Sequence, residues 1–188
     1  DERLAVREDR FGTVVDAVHR FAGALLDHRA DPAAVASHGI ELATRVAPFV
    51  NPELQNPGDI EKLHRSATAL PVLVALADEY ARAKRARGVL DFADQVAGAL
   101  DIIEAAPAVA SDLRDQYRVV LLDEYQDTSV LQTRLLSAIF AGTPVMAVGD
   151  PHQSIYGWRG ASADNLDAFP RAFGTATTPA ERYALIVR

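Results

Sequence analysis

Two adjacent carboxylates, Asp123 and Glu124, directly follow the apolar run Val119-Val120-Leu121-Leu122. A short, partly β-branched apolar run of this kind reads as a strand buried on both faces. In open parallel sheets, ligands bind beyond the carboxyl ends of the strands. Asp123 is then placed to hold magnesium through its waters, because that ion retains several of them. Glu124 is placed beside an attacking water as general base. Taken alone, an Asp-Glu pair at such a position is better explained as a solvated strand end.

A second stretch shifts that balance. Val148-Gly149-Asp150-Pro151-His152-Gln153-Ser154-Ile155-Tyr156-Gly157-Trp158-Arg159-Gly160-Ala161 follows another short apolar run, Pro144 to Val148. Gly149 and Pro151 shape a tight exit, and Gln153 is an uncharged donor and acceptor able to touch a phosphate oxygen and a water. Tyr156 and Trp158, beside Arg159 in a glycine-punctuated loop, form a plausible stacking platform for unpaired bases. On its own, Trp158 is more often a packing residue.

The elements that must position these residues follow from periodicity. The run Tyr117–Leu122 reads as one strand and Pro144–Val148 as a second. Between them Val130, Leu131, Leu135, Leu136, Ile139 and Phe140 give a helix of about 13 residues closed by Gly142. Strand, helix and strand at this spacing form a βαβ unit with parallel strands, so both exits open onto one crevice. A further helix is expected from about Asp91 to Ala105, with Pro107 ending that region.

Before residue 90 the pattern is helical. Phe11, Val14, Val15, Val18, Phe21, Ala22 and Leu25 recur at three- and four-residue steps. Asp31-Pro32 starts another helix carrying Ile40, Leu42, Val46 and Phe49. Pro48 to Gly58 reads as a loop. Asp59 caps a long segment reaching Arg87, in which Pro71 must kink the helix or divide it.

Composition bounds the class. Among 188 residues, 49% are apolar and 24% charged, the balance of a globular chain. There is no cysteine, so disulfides and thiolate-bound zinc are excluded. No apolar run approaches the roughly 18 residues that cross a bilayer, and no signal peptide is visible; a cytoplasmic protein with no membrane partner is expected. The net charge of -7 argues against simple electrostatic binding to nucleic acid. Residues 1–90 hold 12 basic against 13 acidic side chains and residues 91–188 hold 7 against 13, so the acidity concentrates where the chemistry lies.

Asp-Glu-Tyr-Gln-Asp-Thr followed by Gly-Asp-Pro-His-Gln-Ser-Ile-Tyr-Gly-Trp-Arg-Gly-Ala resembles motifs II and III of the UvrD/Rep/PcrA superfamily 1 DNA helicases. Leu90-Asp91-Phe92-Ala93-Asp94 resembles the element that precedes motif II there. The three keep the family's order across residues 90–170. The resemblance implies an α/β fold: part of a RecA-like, P-loop NTPase motor domain over residues 89–188, with a 1B-like helical subdomain over residues 1–88.

It also implies roles. Asp123 would hold Mg2+, Glu124 would be the catalytic base (a Walker B pair), and Gln153 would sense the γ-phosphate of ATP. Trp158 and Tyr156 would stack on single-stranded DNA, with Arg159 bridging the ATP site and the DNA loop. Gln126 and Asp127 would support motif II, and Asp150 would be a polar group behind the site. Arg82, Lys84, Arg85 and Arg87 fit a basic face approaching duplex DNA, and equally fit a helix end favoured by its dipole.

The implied function is ATP-dependent 3′→5′ translocation on single-stranded DNA and at single-strand/duplex junctions, in DNA repair or recombination. The Tyr-Gly-Trp-Arg-Gly-Ala-Ser variant, continuing to Asn165-Leu166, is similar to AdnAB-type helicase–nuclease subunits, which would add a partner subunit. No Gly-x-x-x-x-Gly-Lys-[Ser/Thr] phosphate-binding loop occurs in the sequence. The expectation is an internal helicase fragment, itself silent as an ATPase, whose Arg182–Arg188 end would run into motif IV. The alternatives are a helicase-derived binding module for DNA or a partner, which would not need Glu124, and a magnesium nuclease or phosphatase, which would need further converging acids.

Overall fold

The computed structural model describes residues 2–51, 58–154, 164–175 and 180–181, with side chains from residue 12 onward and excluding that of Asp164. The chain divides into two compact units, Asp1–Leu90 and Asp91–Arg188.

The first unit is helical: α1 (Glu2–Asp27), α2 (Pro32–Val46) and α3 (Asp59–Arg87). Helix α2 begins as its sequence dictates, with Asp31 accepting the Ala33 N–H and Pro32 opening the first turn. It lies against α3 at Gly39, where a Cβ would meet the Leu70 Cβ at 2.7 Å and the Ala67 carbonyl at 2.9 Å. Ala67 and Ala77 on α3 are buried, so small residues set this approach. Pro71 does not divide α3, which runs through it for 29 residues. The N-cap is Gly58 rather than Asp59, and Gly88 closes the helix in the left-handed conformation at φ 64°. The expected loop at Pro48 opens with a 3-10 turn at Ala47–Phe49, and residues 52–57 lie outside the described residues.

The second unit runs α4 (Phe92–Ala105), α5 (Pro107–Gln116), β1 (Val120–Leu122), α6 (Val130–Phe140), β2 (Val145–Ala147) and α7 (Asp164–Phe173). Asp91 and Asp94 form a reciprocal capping box at the start of α4, as Ser129 and Gln132 do for α6. Pro107 does not end the helical region: it occupies the first turn of α5, where its missing N–H costs nothing. Helix α6 spans 11 residues, and Gly142 follows it at φ 78°.

Strands β1 and β2 pair in parallel, with Val120 opposite Val145, Leu121 opposite Met146 and Leu122 opposite Ala147. These two are the sheet among the described residues, within a mostly helical chain. The strands are shorter than the sequence predicts and are not buried on both faces. Val120 and Val145 pack with Leu113, Leu135 and Leu136 onto a core of Ile103, Ala110, Ile139 and Phe140. The opposite face, carrying Leu121 (68% exposed) and Met146 (55%), is open, because α4, α5 and α6 supply packing to one side. Helix α7, which periodicity did not reveal, packs on the turn that follows β1 and on β2.

Candidate functional site: an acidic turn joined to a neighbouring loop

The parallel ladder continues just past the strands. Val148 N–H donates to the Leu122 carbonyl at 2.8 Å, and Tyr125 N–H donates to the Val148 carbonyl at 2.9 Å. The two strand exits are thereby held side by side, as the βαβ reading requires.

Between those bonds the chain makes an abrupt turn. Glu124 adopts the left-handed conformation at φ 51°, ψ 39°, a region costing a non-glycine residue about 1–2 kcal/mol. The Asp123 carboxylate accepts the Glu124 N–H at 2.9 Å, and Tyr125–Asp127 form a 3-10 turn closed by Asp127 N–H on the Glu124 carbonyl. This strained turn leaves both Asp123 and Glu124 exposed at the carboxyl end of β1.

What holds the turn is burial of the next two side chains. Tyr125 is fully buried (0% exposed), edge-on to Phe169 and Phe173 of α7, with ring centroids 5.6 and 6.3 Å away. Its hydroxyl donates to the Thr133 hydroxyl at 3.3 Å. Burial pushes the Tyr125 phenol above its ordinary range, and the Thr133 contact offsets that in part. Gln126 is 1% exposed and bonded at both ends of its amide. Its amide nitrogen donates to a Glu124 carboxylate oxygen at 2.6 Å, its amide oxygen accepts the Asp150 N–H at 3.0 Å, and its carbonyl accepts the Ser154 hydroxyl at 3.3 Å. Asn165 of α7 is also buried and donates to the Thr128 carbonyl at 2.7 Å. Asp127 Oδ1 is buried without a hydrogen-bond partner among the described residues.

The exit from β2 is more open. Pro151, His152 and Gln153 form an exposed 3-10 turn, capped by Asp150, whose carboxylate accepts the His152 N–H at 2.9 Å and the Gln153 side-chain amide at 2.9 Å. Those contacts hold the Asp150 carboxyl below the usual carboxylate range: first the His152 N–H, then the Gln153 amide, with the His152 ring adding least. Gly149 is required by proximity, because a Cβ there would collide with the Gln126 amide oxygen and lie 3.0 Å from the Gln126 nitrogen.

Asp123, Glu124 and Gln153 therefore lie on adjoining strand exits, joined through Gln126 and Asp150. Tyr156, Trp158 and Arg159 lie outside the described residues, as do Arg182–Arg188. Asp123 supplies the hard oxygen that magnesium prefers, and that ion commonly takes one or two carboxylates and keeps water elsewhere. Among the described residues, no three His, Cys, Asp or Glu side chains gather as a metal cage. Sequence reasoning gave Gln126 only a supporting role, cited Asn165 for the resemblance without a structural role, and missed the Tyr125 cluster. The available signal was an uncharged amide set between two carboxylates, and two phenylalanines four residues apart. On the first unit, Arg82 pairs with Asp78 and Glu79 at 3.1 and 2.9 Å, and Lys84 lies over the Tyr80 ring, so both also serve their own helix. No helix among the described residues is long and apolar enough to cross a membrane.

The chain is similar in sequence to known DNA helicases. A probable DNA helicase II homologue of Rickettsia felis is 37% identical over 122 residues, covering 62% of this chain and 18% of that protein. The ATP-dependent DNA helicase UvrD1 of Mycobacterium tuberculosis is 38% identical over 109 residues, 54% of this chain and 14% of that protein. The RecBCD enzyme subunit RecB of the same species is 34% identical over 160 residues, 82% of this chain and 14% of that protein. The chain thus spans less than a fifth of the length of these relatives. The UvrD/REP helicase N-terminal domain model matches residues 33–174, which include the acidic turn, the Gln126 bridge and the β2 exit; the chain belongs to that family.

Proposed function

We propose that this chain supplies the magnesium- and water-activating side of a helicase ATPase, and that the protein acting through it is an ATP-dependent 3′→5′ DNA helicase in repair or recombination. The observation carrying this reading is the pairing of two exposed carboxylates with a glutamine on the neighbouring parallel strand exit. Residues 89–188 would be part of a RecA-like motor domain and residues 1–88 its 1B-like helical companion. Asp123 would hold Mg2+, which when bound screens the phosphate charge that develops during hydrolysis. Glu124 would take the proton of the attacking water. Gln153 would leave Asp150 for the γ-phosphate of ATP, so that nucleotide state alters the loop leading to Tyr156, Trp158 and Arg159, which would bind single-stranded DNA and its junctions with duplex.

The likeness to RecB, and to AdnAB-type subunits in the Tyr156–Ser162 stretch, supports a partner in a helicase–nuclease assembly. A DNA- or partner-binding module without hydrolysis is the second reading; the retained Glu124, in a strained conformation that binding alone does not need, weighs against it. Single-stranded DNA-stimulated ATP hydrolysis by the protein that contains this chain tests the choice. Glu124→Gln should lower kcat by about a hundredfold or more while ATP binding persists, the range of a lost general base. Unchanged turnover would favour the binding module.

A further inference from the structure

The Gln126 amide touches both halves of the candidate site at once. Its donor end meets the Glu124 carboxylate at 2.6 Å, and its acceptor end meets the Asp150 N–H at 3.0 Å. The Gln126 side chain is 1% exposed, so both ends of its amide are held by protein partners, although the Glu124 carboxylate it meets is itself exposed. Gly149 leaves room for that amide where any larger residue would displace it. Among the described residues, the other hydrogen bonds across the two exits are made by backbone or by the Ser154 hydroxyl to the Gln126 carbonyl, and do not reach a side chain assigned to chemistry.

We propose that Gln126 is a positioning residue that orients the Glu124 carboxylate and ties its position to the β2 exit loop, so that movement at Asp150–Gln153 re-aims the base. The inference rests on the reading of Glu124 as the water-activating base. Chemically, an amide is needed: only a group with a donor at one end and an acceptor at the other satisfies a carboxylate and an N–H together. The donor end matters most for chemistry, since a hydrogen bond to a charged group is stronger and more directional than one between neutral groups. The acceptor end matters most for the loop.

Gln126→Glu separates the two ends, because it keeps an acceptor for Asp150 N–H and replaces the donor with a second carboxylate facing Glu124. In the ATP-hydrolysing protein that contains this chain, kcat should fall by about tenfold or more, with the KM for ATP within about twofold. Hydrogen exchange at the Asp150 amide should stay within about threefold of wild type in Gln126→Glu, and accelerate about tenfold in Gln126→Met, which loses both bonds. The double variant Glu124→Gln with Gln126→Glu restores a donor–acceptor pair in reverse order. It should melt at the wild-type temperature and remain inactive, which keeps the pairing measurable if the single variant folds poorly. A wild-type kcat in Gln126→Glu, beside an inactive Glu124→Gln, would overturn the positioning role and leave the base reading intact. Loss of kcat accompanied by equally fast Asp150 exchange in Gln126→Glu and Gln126→Met would also overturn it, since the effect would then be general loosening. Full turnover by Glu124→Gln would remove the base reading, and this inference with it.

Discussion

The exits of the two parallel strands have the same place in the sheet and opposite construction. The turn after β1 is strained at Glu124 and anchored by two buried side chains, Tyr125 and Gln126, with α7 packed behind it. The exit after β2 is exposed from Pro151 to Gln153, and its contacts run inward to Asp150 and across to Gln126. One exit therefore serves as a fixed platform and the other leans on it. A site that must hold reacting groups still while one neighbour responds to a ligand needs this asymmetry.

The sharpest way to break the difference is to remove the platform's anchor. Tyr125→Ala empties a fully buried ring site between Thr133 and the Phe169–Phe173 pair. Large-to-small changes of this kind cost about 3–5 kcal/mol, so chemical denaturation should show a loss in that range. Hydrogen exchange should rise at Tyr125, Asp127 and Thr128 together, since their N–H bonds define the turn. A loss under about 1 kcal/mol would mean that the platform is carried by the backbone ladder alone.

The next effect lies at the contact between the exits. Gly149→Ala puts a methyl group onto the Gln126 amide oxygen and against its backbone nitrogen. Overpacking of this kind costs about 1–3 kcal/mol, and the Asp150 N–H bond to Gln126 should be lost with it. Thermal melting measures the first, and exchange at the Asp150 amide measures the second. A smaller effect belongs to Ser129, whose hydroxyl and Gln132 form the box that starts α6 straight after the acidic turn. Ser129→Ala should cost about 1 kcal/mol and leave Asp150 exchange unchanged, because the cap supports only the platform's side.

Which parts of this were legible in the sequence follows from their range in the chain. The start of α2 at Asp31-Pro32, the glycine after α6 and the parallel strand–helix–strand unit are local patterns, and periodicity with turn chemistry finds them. The capping boxes at Asp91 and Ser129 went unread, and Asp59, read as a cap, lies one residue inside α3. The division of the sheet into a packed face and an open face was not legible, because Val120 and Leu121 are alike in hydropathy and only α4, α5 and α6 decide which is covered. Pro107 misled in the same way: the residue that ends one helix can begin another. At the site, the carboxylates announce themselves by type and by following a strand. Gln126 does not, because its use depends on Asp150, which is adjacent in space and distant in sequence. Asn165 and the Phe169–Phe173 pair are hidden for the same reason, each meeting the turn only after α7 folds back.

The smallest expected effect concerns the leaning exit and its acid range. Asp150 has its carboxyl held below the ordinary value by the His152 N–H and the Gln153 amide, both of which favour the charged form. A group whose folded value is depressed contributes stability that is complete above its unfolded value, about 3.9, and is lost as pH falls through the folded value. From neutral pH down to about 4 the capped turn at Pro151–Gln153 should therefore keep its Asp150 contribution, and below that it should open. The group is partly exposed and caps an exposed turn, so the readout is local: exchange at the His152 amide, or the Gln153 side-chain NH2 resonances, followed by NMR through that range. Asp150→Asn should remove the acid transition in those signals, since an amide keeps an acceptor and does not titrate. The turn at Tyr125–Asp127 should show no matching transition in its own amides. If both exits open together in acid, the platform depends on the Asp150 charge, and the asymmetry between the two exits is one of exposure rather than of support.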